Sequence, residues 1–238
     1  MRVAALPDVH GNAAALEAVL AEIGGERVDA IVFCGDLTWG PLPNETLELV
    51  HAITLPKYFV RGNADRMLGT DESERGVWLA AQHSPEQTAF VNGFPSHVVL
   101  DVDVLGPTRF VHGSPRSDEE CVTPVTPEER VREFMAGVPE RGVVTAHVHV
   151  SYDRQVGEVR LIGPGSVGRP YEGKRGARWA ILGPDVELRE TQYDHEAVAE
   201  RYRASGIPRV EEFDVEALLQ PITRAEIIAD AEERVFAG

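Results

Sequence analysis

The sequence predicts an α/β protein in which two β-sheets pack together with helices outside them. In the first third of the chain, short apolar runs alternate with helical patterns, which favours βαβ units and parallel strand pairing. From Ser96 onward, strand patterns dominate. With 238 residues, 43% of them hydrophobic, the chain can bury a full core in one domain.

The βαβ half begins at the first apolar run, Val3 to Leu6. Asn12 is expected to cap a helix whose apolar face ends before Gly24. The same cycle then repeats, with a strand at 30–34, a helix at 43–53 capped by Asn44, and a strand at 57–60. This order predicts three neighbouring strands with helical crossovers.

Two later helices have distinct start signals. Ser84-Pro85-Glu86-Gln87 and Thr126-Pro127-Glu128-Glu129 combine capping-box spacing with proline at the first helical position, and the second helix should end near Gly137. Strand patterns occupy 97–105, 108–111, 143–147, a hairpin around Gly157, 177–182 and 186–192. A last helix is expected over 195–204, ending at Gly206.

The charge and the cysteine count limit the classes of function. A net charge of −16 argues against general binding to nucleic acid or to an anionic membrane surface. Cys34 and Cys121 are too few for a disulfide framework or a thiolate zinc site, which favours a reducing compartment. No apolar stretch approaches the ~18 residues of a membrane span, so we expect a soluble cytoplasmic protein.

Five short stretches carry the candidate chemistry, each placing Asp, Asn or His directly after a strand-like run. They are PDVHGN at 7–12, CGD at 34–36, RGNAD at 61–65, VHGSP at 111–115 and AHVH at 146–149. Strand ends are where α/β sheets bind ligands. Any one of these side chains alone is more typical of a helix cap or a turn, but their coincidence favours a shared metal site.

The donor types predict which metals such a site would hold. Carboxylate, imidazole and amide groups without a thiolate suit Mn, Fe, Zn, Co or Ni better than Ca or Mg, and Mn is our first expectation. Seven candidate ligands exceed what one ion takes. The sequence therefore predicts two divalent ions, with the carboxylate of Asp36 as the bridge between them.

In this order, the five stretches resemble the signature of the calcineurin-like metallophosphoesterases. TWGPLPNE at 38–45, GPGSVGRP at 163–170 and YDHEAV at 193–198 are similar to a bacterial branch of that family. The resemblance covers residues 1–207 and implies a two-sheet mixed β sandwich flanked by helices on both sides. Residues 208–238 are predicted to be an acidic helical extension packed on the same metallophosphoesterase domain.

The resemblance also assigns the metal ligands. It implies that the first ion is bound by Asp8, His10, Asp36 and His149, and the second by Asp36, Asn63, His112 and His147. Asn63 would also present its amide to a phosphate oxygen. Many family members have a histidine after the Gly-Asn pair that acts as general acid for the leaving group or orients the substrate, and this chain has Ala64 there. Its absence favours substrates with good leaving groups.

Three further residues are candidates for roles around the metals. Asp65 is either a group that polarises Asn63 or a histidine behind the metal ligands, or an ordinary turn carboxylate. Arg116 and Arg169 are candidate phosphate ligands by charge and placement, with plain surface residues as the alternative.

Together these features predict a dinuclear phosphoesterase in which a metal-bridging hydroxide attacks phosphorus. The expected substrate is a small phosphorylated molecule, preferably a phosphodiester or a nucleotide. A Ser/Thr phosphoprotein phosphatase remains open. So do a non-catalytic scaffold, like the retromer subunit that resembles phosphoesterases, and a nucleotide sensor of the same fold.

Overall fold

The protein is a two-layer β sandwich, as the computed structural model shows for residues 1–234. The strands are β1 Val3–Leu6, β2 Ala30–Phe33, β3 Lys57–Phe59, β4 His97–Val102, β5 Gly106–Val111, β6 Gly142–Val144, β7 Ser151–Val156, β8 Val159–Pro164, β9 Ala177–Leu182 and β10 Val186–Thr191. They form two five-stranded sheets, ordered β10-β9-β1-β2-β3 and β4-β5-β6-β8-β7. The predicted fold class is confirmed.

The first sheet contains the predicted parallel strands. β1 pairs with β2 and β2 with β3 in parallel. On the other side of β1, β9 pairs with β1 in antiparallel orientation, and β10 pairs with β9 in the same way. Parallel pairing brings the carboxyl ends of β1, β2 and β3 to one edge. The residues that follow these strands therefore meet there.

The second sheet is mixed. β4 and β7 are antiparallel to their neighbours, while β5, β6 and β8 run parallel to one another. Val156 pairs with Val159 across Gly157, which confirms the predicted hairpin. The carboxyl ends of β5 and β6 lead into the segments that contain His112 and His147.

Apolar layers hold the sheets and helices together. Val3, Val32, Phe110, Val144 and Ile162 belong to the cluster between the two sheets. A second cluster lies between the first sheet and its helices, and a third lies behind the second sheet under a single helix. Each fully buried large side chain stabilises the fold by roughly 1.5–3 kcal/mol.

The helices predicted from the sequence are present, but not every predicted capping residue caps its helix. They are α1 Ala13–Ile23, α2 Pro43–Ala52, α3 Asn63–Met67, α4 Glu74–Gln82, α5 Pro85–Asn92, α6 Glu128–Phe134, α7 His195–Ser205, α8 Glu216–Leu219 and α9 Arg224–Glu233, with a π-helical turn at Glu211–Val215 before α8. Asn12 caps α1 and Ser84 caps α5, as predicted. The short α3 and the longer α4 were not predicted from the sequence.

Two predicted caps are wrong. Asn44 does not cap α2, which follows Leu42; its side chain donates to the backbone oxygen of Gln82 at 3.0 Å instead. Thr126 does not cap α6, because its hydroxyl binds the carboxylate of Glu232. Both side chains satisfy tertiary contacts that the local sequence does not reveal.

The C-terminal segment packs on the sandwich as far as residue 234. Arg75 of α4 pairs with Asp214 at 2.8 Å, and α9 contacts the segments around Ser151 and Thr123. The end of the predicted acidic extension, 235–238, lies outside the described residues. Among residues 1–234, no helix is both long enough and apolar enough to cross a membrane.

Candidate metal centre

All seven predicted ligands come from segments that follow strands of the sandwich. Asp8 and His10 follow β1, Asp36 follows β2, Asn63 begins α3 after β3, His112 follows β5, and His147 and His149 follow β6. His112 joins the two sheets, because its Nδ1 lies 2.9 Å from the backbone oxygen of Cys34. The site therefore forms where the ends of both sheets meet.

One group of possible ligands consists of Asp8, His10 and His149. The Nε2 atoms of the two histidines lie 3.2 Å apart, and His149 Nε2 lies 3.3 Å from Asp8 Oδ1. That carboxylate oxygen is buried and has no hydrogen-bond partner in the described part of the chain. A buried charged atom normally has a partner, so its arrangement fits a bound cation.

The second group consists of Asp36, His112 and His147. His112 Nε2 lies 3.4 Å from Asp36 Oδ2 and 3.0 Å from Asn63 Oδ1. Asp36 Oδ2 also lies 3.6 Å from His10 Nε2, which belongs to the first group. The carboxylate of Asp36 is thus placed between the two groups.

Backbone carbonyls determine the tautomers of three ligand histidines. A carbonyl oxygen only accepts hydrogen bonds, so a ring nitrogen bonded to it must carry the proton, which leaves Nε2 as a metal donor in the neutral ring. His112 Nε2 also lies 3.0 Å from the amide oxygen of Asn63, another acceptor, so this ring must lose a proton before Nε2 can bind a metal. The pairs are His10 Nδ1 with Trp39 at 3.1 Å, His112 Nδ1 with Cys34 at 2.9 Å, and His149 Nδ1 with Arg169 at 2.6 Å.

The electrostatics of the site favour neutral histidines at two positions. Burial lowers the pKa of His10 and of His147 to about 4. Burial also opposes the charge of His112, but the adjacent Asp36 outweighs it and raises the pKa of His112 to about 10. Burial is likewise outweighed at Asp36, where the histidines hold the pKa of the carboxyl well below its usual range.

The backbone of the site is strained. Within residues 1–234, seven non-glycine residues have positive φ, and five of them are predicted ligands with φ between 48° and 67°. The five are Asp8, His10, Asp36, His147 and His149. Such conformations cost on the order of 1–3 kcal/mol each and concentrate at functional sites. Nothing in the sequence signals this strain, because none of the five is a glycine.

Asp65 lies behind the ligands. Its buried carboxylate accepts hydrogen bonds from the backbone N–H groups of Asp36, Leu37 and Gly62, at 2.8–2.9 Å. Among residues 1–234 it makes no hydrogen bond to Asn63 or to a histidine, so this geometry does not support the prediction that it polarises one of them. Asp65 instead fixes the loop that carries Asp36 against the start of α3.

The two candidate phosphate-binding arginines differ in position. Arg169 lines the cleft over the ligands, and its Nε is buried without a hydrogen-bond partner. Arg116 lines a second recess, which His112 also lines. It pairs there with Glu120 at 2.6 Å and lies over the ring of Phe134. The structure thus brings Arg169, and not Arg116, to the cleft. Because Glu120 already neutralises its guanidinium, this geometry does not support Arg116 as a phosphate ligand.

The cleft over the ligands has a volume of about 510 Å³, within the range of small-molecule sites. Sequence reasoning missed one wall of it, which is formed by Tyr171 and by residues of the C-terminal segment. Those residues are Ile222, Glu226, Ile227, Asp230, Ala231 and Arg234. The capping box Thr223 to Glu226 could have predicted α9, but nothing in the sequence shows where that helix packs.

Comparison with known proteins gives similar folds along nearly the whole chain. The crystal structure of hypothetical protein PH1004 from Pyrococcus horikoshii matches with a TM-score of 0.81 at 20% identity, covering 93% of this chain and 99% of that one. A metallophosphoesterase from Sphaerobacter thermophilus matches with a TM-score of 0.74 at 27% identity, again covering 93% and 99%.

Sequence comparison extends this similarity. The uncharacterized protein MJ0912 of Methanocaldococcus jannaschii is 24% identical over 239 residues, covering 87% of this chain and 93% of the relative. Residues 1–184 match the family model of the calcineurin-like phosphoesterase superfamily domain. That segment is more than half of the chain and carries all seven predicted ligands. The protein therefore belongs to the calcineurin-like phosphoesterase superfamily.

Proposed function

We propose that this protein is a dinuclear metal-dependent hydrolase of phosphodiesters or nucleotide-type phosphate esters. The position of Asp36 carries the proposal, because its Oδ2 lies 3.4 Å from His112 Nε2 in one ligand group and 3.6 Å from His10 Nε2 in the other. A carboxylate in that position suits a bridge between two ions about 3.5–4 Å apart.

The ligand atoms fit divalent transition metals. Each group combines one carboxylate with two imidazoles. Asp8 Oδ1 has no hydrogen-bond partner among residues 1–234, and its negative charge is one that a cation would satisfy. Two bound cations would neutralise the phosphate oxygens and lower the pKa of the attacking water. Mn is our first candidate.

The protein's own side chains would orient the substrate. Asn63 faces His112 through Oδ1, which leaves its amide nitrogen to donate to a phosphate oxygen. The Arg169 guanidinium lines the same cleft and would bind a second phosphate oxygen. Ala64 supplies no general acid; its N–H instead donates to Asp36 Oδ1 at 2.9 Å. This arrangement favours esters whose leaving groups need little protonation.

The shape of the cleft favours a small substrate over a phosphoprotein. α9 lies along one side of it, and a groove for an extended peptide would need that side open. The complete set of seven ligands supports an enzyme over a non-catalytic scaffold, since a scaffold does not need every ligand. A nucleotide sensor would bind substrate without turning it over.

Initial rates on bis-p-nitrophenyl phosphate and p-nitrophenyl phosphate test this proposal. Metal-stripped protein would be reconstituted with Mn²⁺ and assayed on both compounds side by side. We expect metal-dependent hydrolysis that favours the diester. Two bound metals without turnover of either ester would overturn the enzymatic proposal in favour of a scaffold or sensor.

A further inference from the structure

Hydrogen bonds hold both ends of α9 against the sandwich, so this helix forms a fixed wall of the cleft. At its start, Arg224 donates to the backbone oxygen of Ser151 at 2.7 Å. At its end, Glu232 Oε1 accepts hydrogen bonds from the hydroxyls of Thr123 and Thr126, at 2.5 Å each. α9 therefore spans the distance between the segment after His149 and the segment after β5.

Part of the wall and its surroundings is apolar. Ile222 and Ile227 line the cleft from the C-terminal segment, and Ala231 packs with Cys121 and Val148. On the metal side, the ring of Tyr171 stacks on the imidazole of His149, with the centroids 4.6 Å apart and the planes 15° from parallel. An apolar surface with an aromatic ring thus lies directly beside a predicted metal ligand.

The same wall carries a net negative charge, because two carboxylates and only one guanidinium, that of Arg234, line the cleft from α9 and its end. Glu226 and Asp230 are four residues apart on α9, which places them on one face, and both line the cleft. Asp230 is paired with Arg234, whereas Glu226 has no basic residue within ion-pair distance among residues 1–234. The hydroxyl and N–H of Thr223 lower the pKa of Glu226, so it is ionised at neutral pH.

These features divide the cleft into two chemically different parts. A phosphate near the predicted ligands would face Arg169, and a group extending from it toward α9 would meet Tyr171, Ile227 and the Glu226 carboxylate. A second phosphate there would be repelled by that carboxylate. An uncharged ring would pack on the apolar surface, and its hydroxyl or amino groups could donate to Glu226.

We propose that α9 and Tyr171 form a subsite for an uncharged, ring-bearing substituent of a phosphodiester, such as a nucleoside, and that Glu226 excludes a second phosphate. This inference rests on the proposed function and chooses between its two substrate classes. It predicts diesters as substrates and disfavours nucleoside di- and triphosphates.

Calorimetric titration of Mn²⁺-loaded protein with AMP and ADP tests the charge selection. We expect AMP to bind about tenfold more tightly than ADP, and Glu226→Gln to reduce that ratio to about threefold or less. Glutamine can still accept from Thr223, so the cap of α9 is kept. Glu216→Gln is the matched control, because it removes an exposed carboxylate on α8 that does not line the cleft.

The apolar surface is tested separately with Ile227→Asn. We expect weaker binding of AMP and unchanged binding of inorganic phosphate, with thermal melting as the check on folding. Equal or tighter binding of ADP by the wild type would overturn the proposal. So would an AMP-to-ADP ratio unchanged by Glu226→Gln, or an AMP affinity unchanged by Ile227→Asn.

Assays on bis-p-nitrophenyl phosphate separate failure of the subsite from failure of the proposed function. Diester hydrolysis without selection between AMP and ADP would reject the subsite and leave the enzyme. Selection that depends on Glu226, without hydrolysis of any ester, would reject the enzyme and leave the subsite as part of a sensor.

Discussion

The Nε2 atoms of His10 and His149 face each other at 3.2 Å, while the Nδ1 atom of each ring is bonded to a backbone carbonyl. When both rings are neutral, the carbonyls hold the protons on Nδ1, so the two Nε2 lone pairs point at each other. A cation bound by both nitrogens would remove this repulsion. The folded protein should therefore gain stability from metal.

We expect Mn²⁺ to raise the melting temperature of metal-stripped protein. An ion at 100 times its Kd adds about 2.7 kcal/mol per site, and about 2–4 °C per kcal/mol is typical of a domain of 150–250 residues. Calorimetric melts with and without Mn²⁺ should differ by about 5–10 °C per occupied site. Mg²⁺ should have a smaller effect, because it prefers oxygen ligands. Identical melts would contradict the metal assignment.

Asp36→Asn should lower metal content at both sites and nearly abolish turnover. The substitution removes the negative charge from the side chain whose Oδ2 lies between the two ligand groups, while its size is kept. Metal analysis after dialysis and initial rates on the diester measure the two effects. Asp153→Asn is the control, since Asp153 pairs with Arg160 on the surface of β7 and β8. Normal turnover with full metal occupancy would refute the bridging assignment.

Asp65→Ala should destabilise the fold more than it alters the chemistry. Three backbone N–H groups would lose their acceptor, and an unsatisfied buried donor costs about 1–3 kcal/mol. We expect a loss of about 3 kcal/mol or more in urea unfolding, with weaker metal binding because the Asp36 loop loosens.

Asp65→Asn distinguishes positioning from catalysis. Its one amide oxygen can replace part of the hydrogen bonding, so stability and metal affinity should fall between those of the wild type and the alanine variant. With saturating Mn²⁺, the kcat of Asp65→Asn should remain within about tenfold of the wild type. A kcat lowered much further, at full metal occupancy and normal stability, would show that Asp65 takes part in the reaction.

The sequence predicted the fold, and it placed the candidate ligands directly after strands, because both depend on patterns that are local in the chain. Apolar runs mark β1, β2 and β5, and the polar residues after each run are visible as Asp8, Asp36 and His112. His112 follows a strand of the second sheet, so its approach to the other two depends on how the sheets pack. Within the first sheet, parallel pairing alone places Asp8 and Asp36 at one edge. No contact between distant segments has to be known for this step.

The features that the sequence did not predict depend on tertiary contacts. From the sequence, Asp65 is indistinguishable from a turn residue. Its role depends on a hydrogen bond from the backbone N–H of Asp36, which is 29 residues away in sequence. The position of α9 over the cleft depends on Glu232 reaching Thr123 across 109 residues. The positive φ angles of five predicted ligands occur where the strands end, and the residue types at these positions do not predict them.

Gly62→Ala should disturb the metal centre only through a steric clash between the added Cβ and Asp36. Gly62 has φ of −90°, so alanine fits its backbone conformation. A Cβ there would lie 2.1 Å from Asp36 Oδ1 and 2.5 Å from the Asp36 nitrogen, and it would force that residue to move. We expect metal affinity to fall about 10–100-fold and stability to fall by about 1–3 kcal/mol.

Gly157→Ala is the matched control for that experiment. Gly157 lies in the hairpin between β7 and β8 with φ of +57°, and an added Cβ would meet no atom within 4 Å. Alanine in this conformation costs about 1–2 kcal/mol of backbone strain, so this variant should also be less stable. Its metal content and diester turnover should match the wild type, because the hairpin does not contact the ligands. The contrary result would be a loss of stability in both variants with normal metal content in Gly62→Ala. It would show that the position of the Asp36 carboxylate does not depend on its close approach to Gly62.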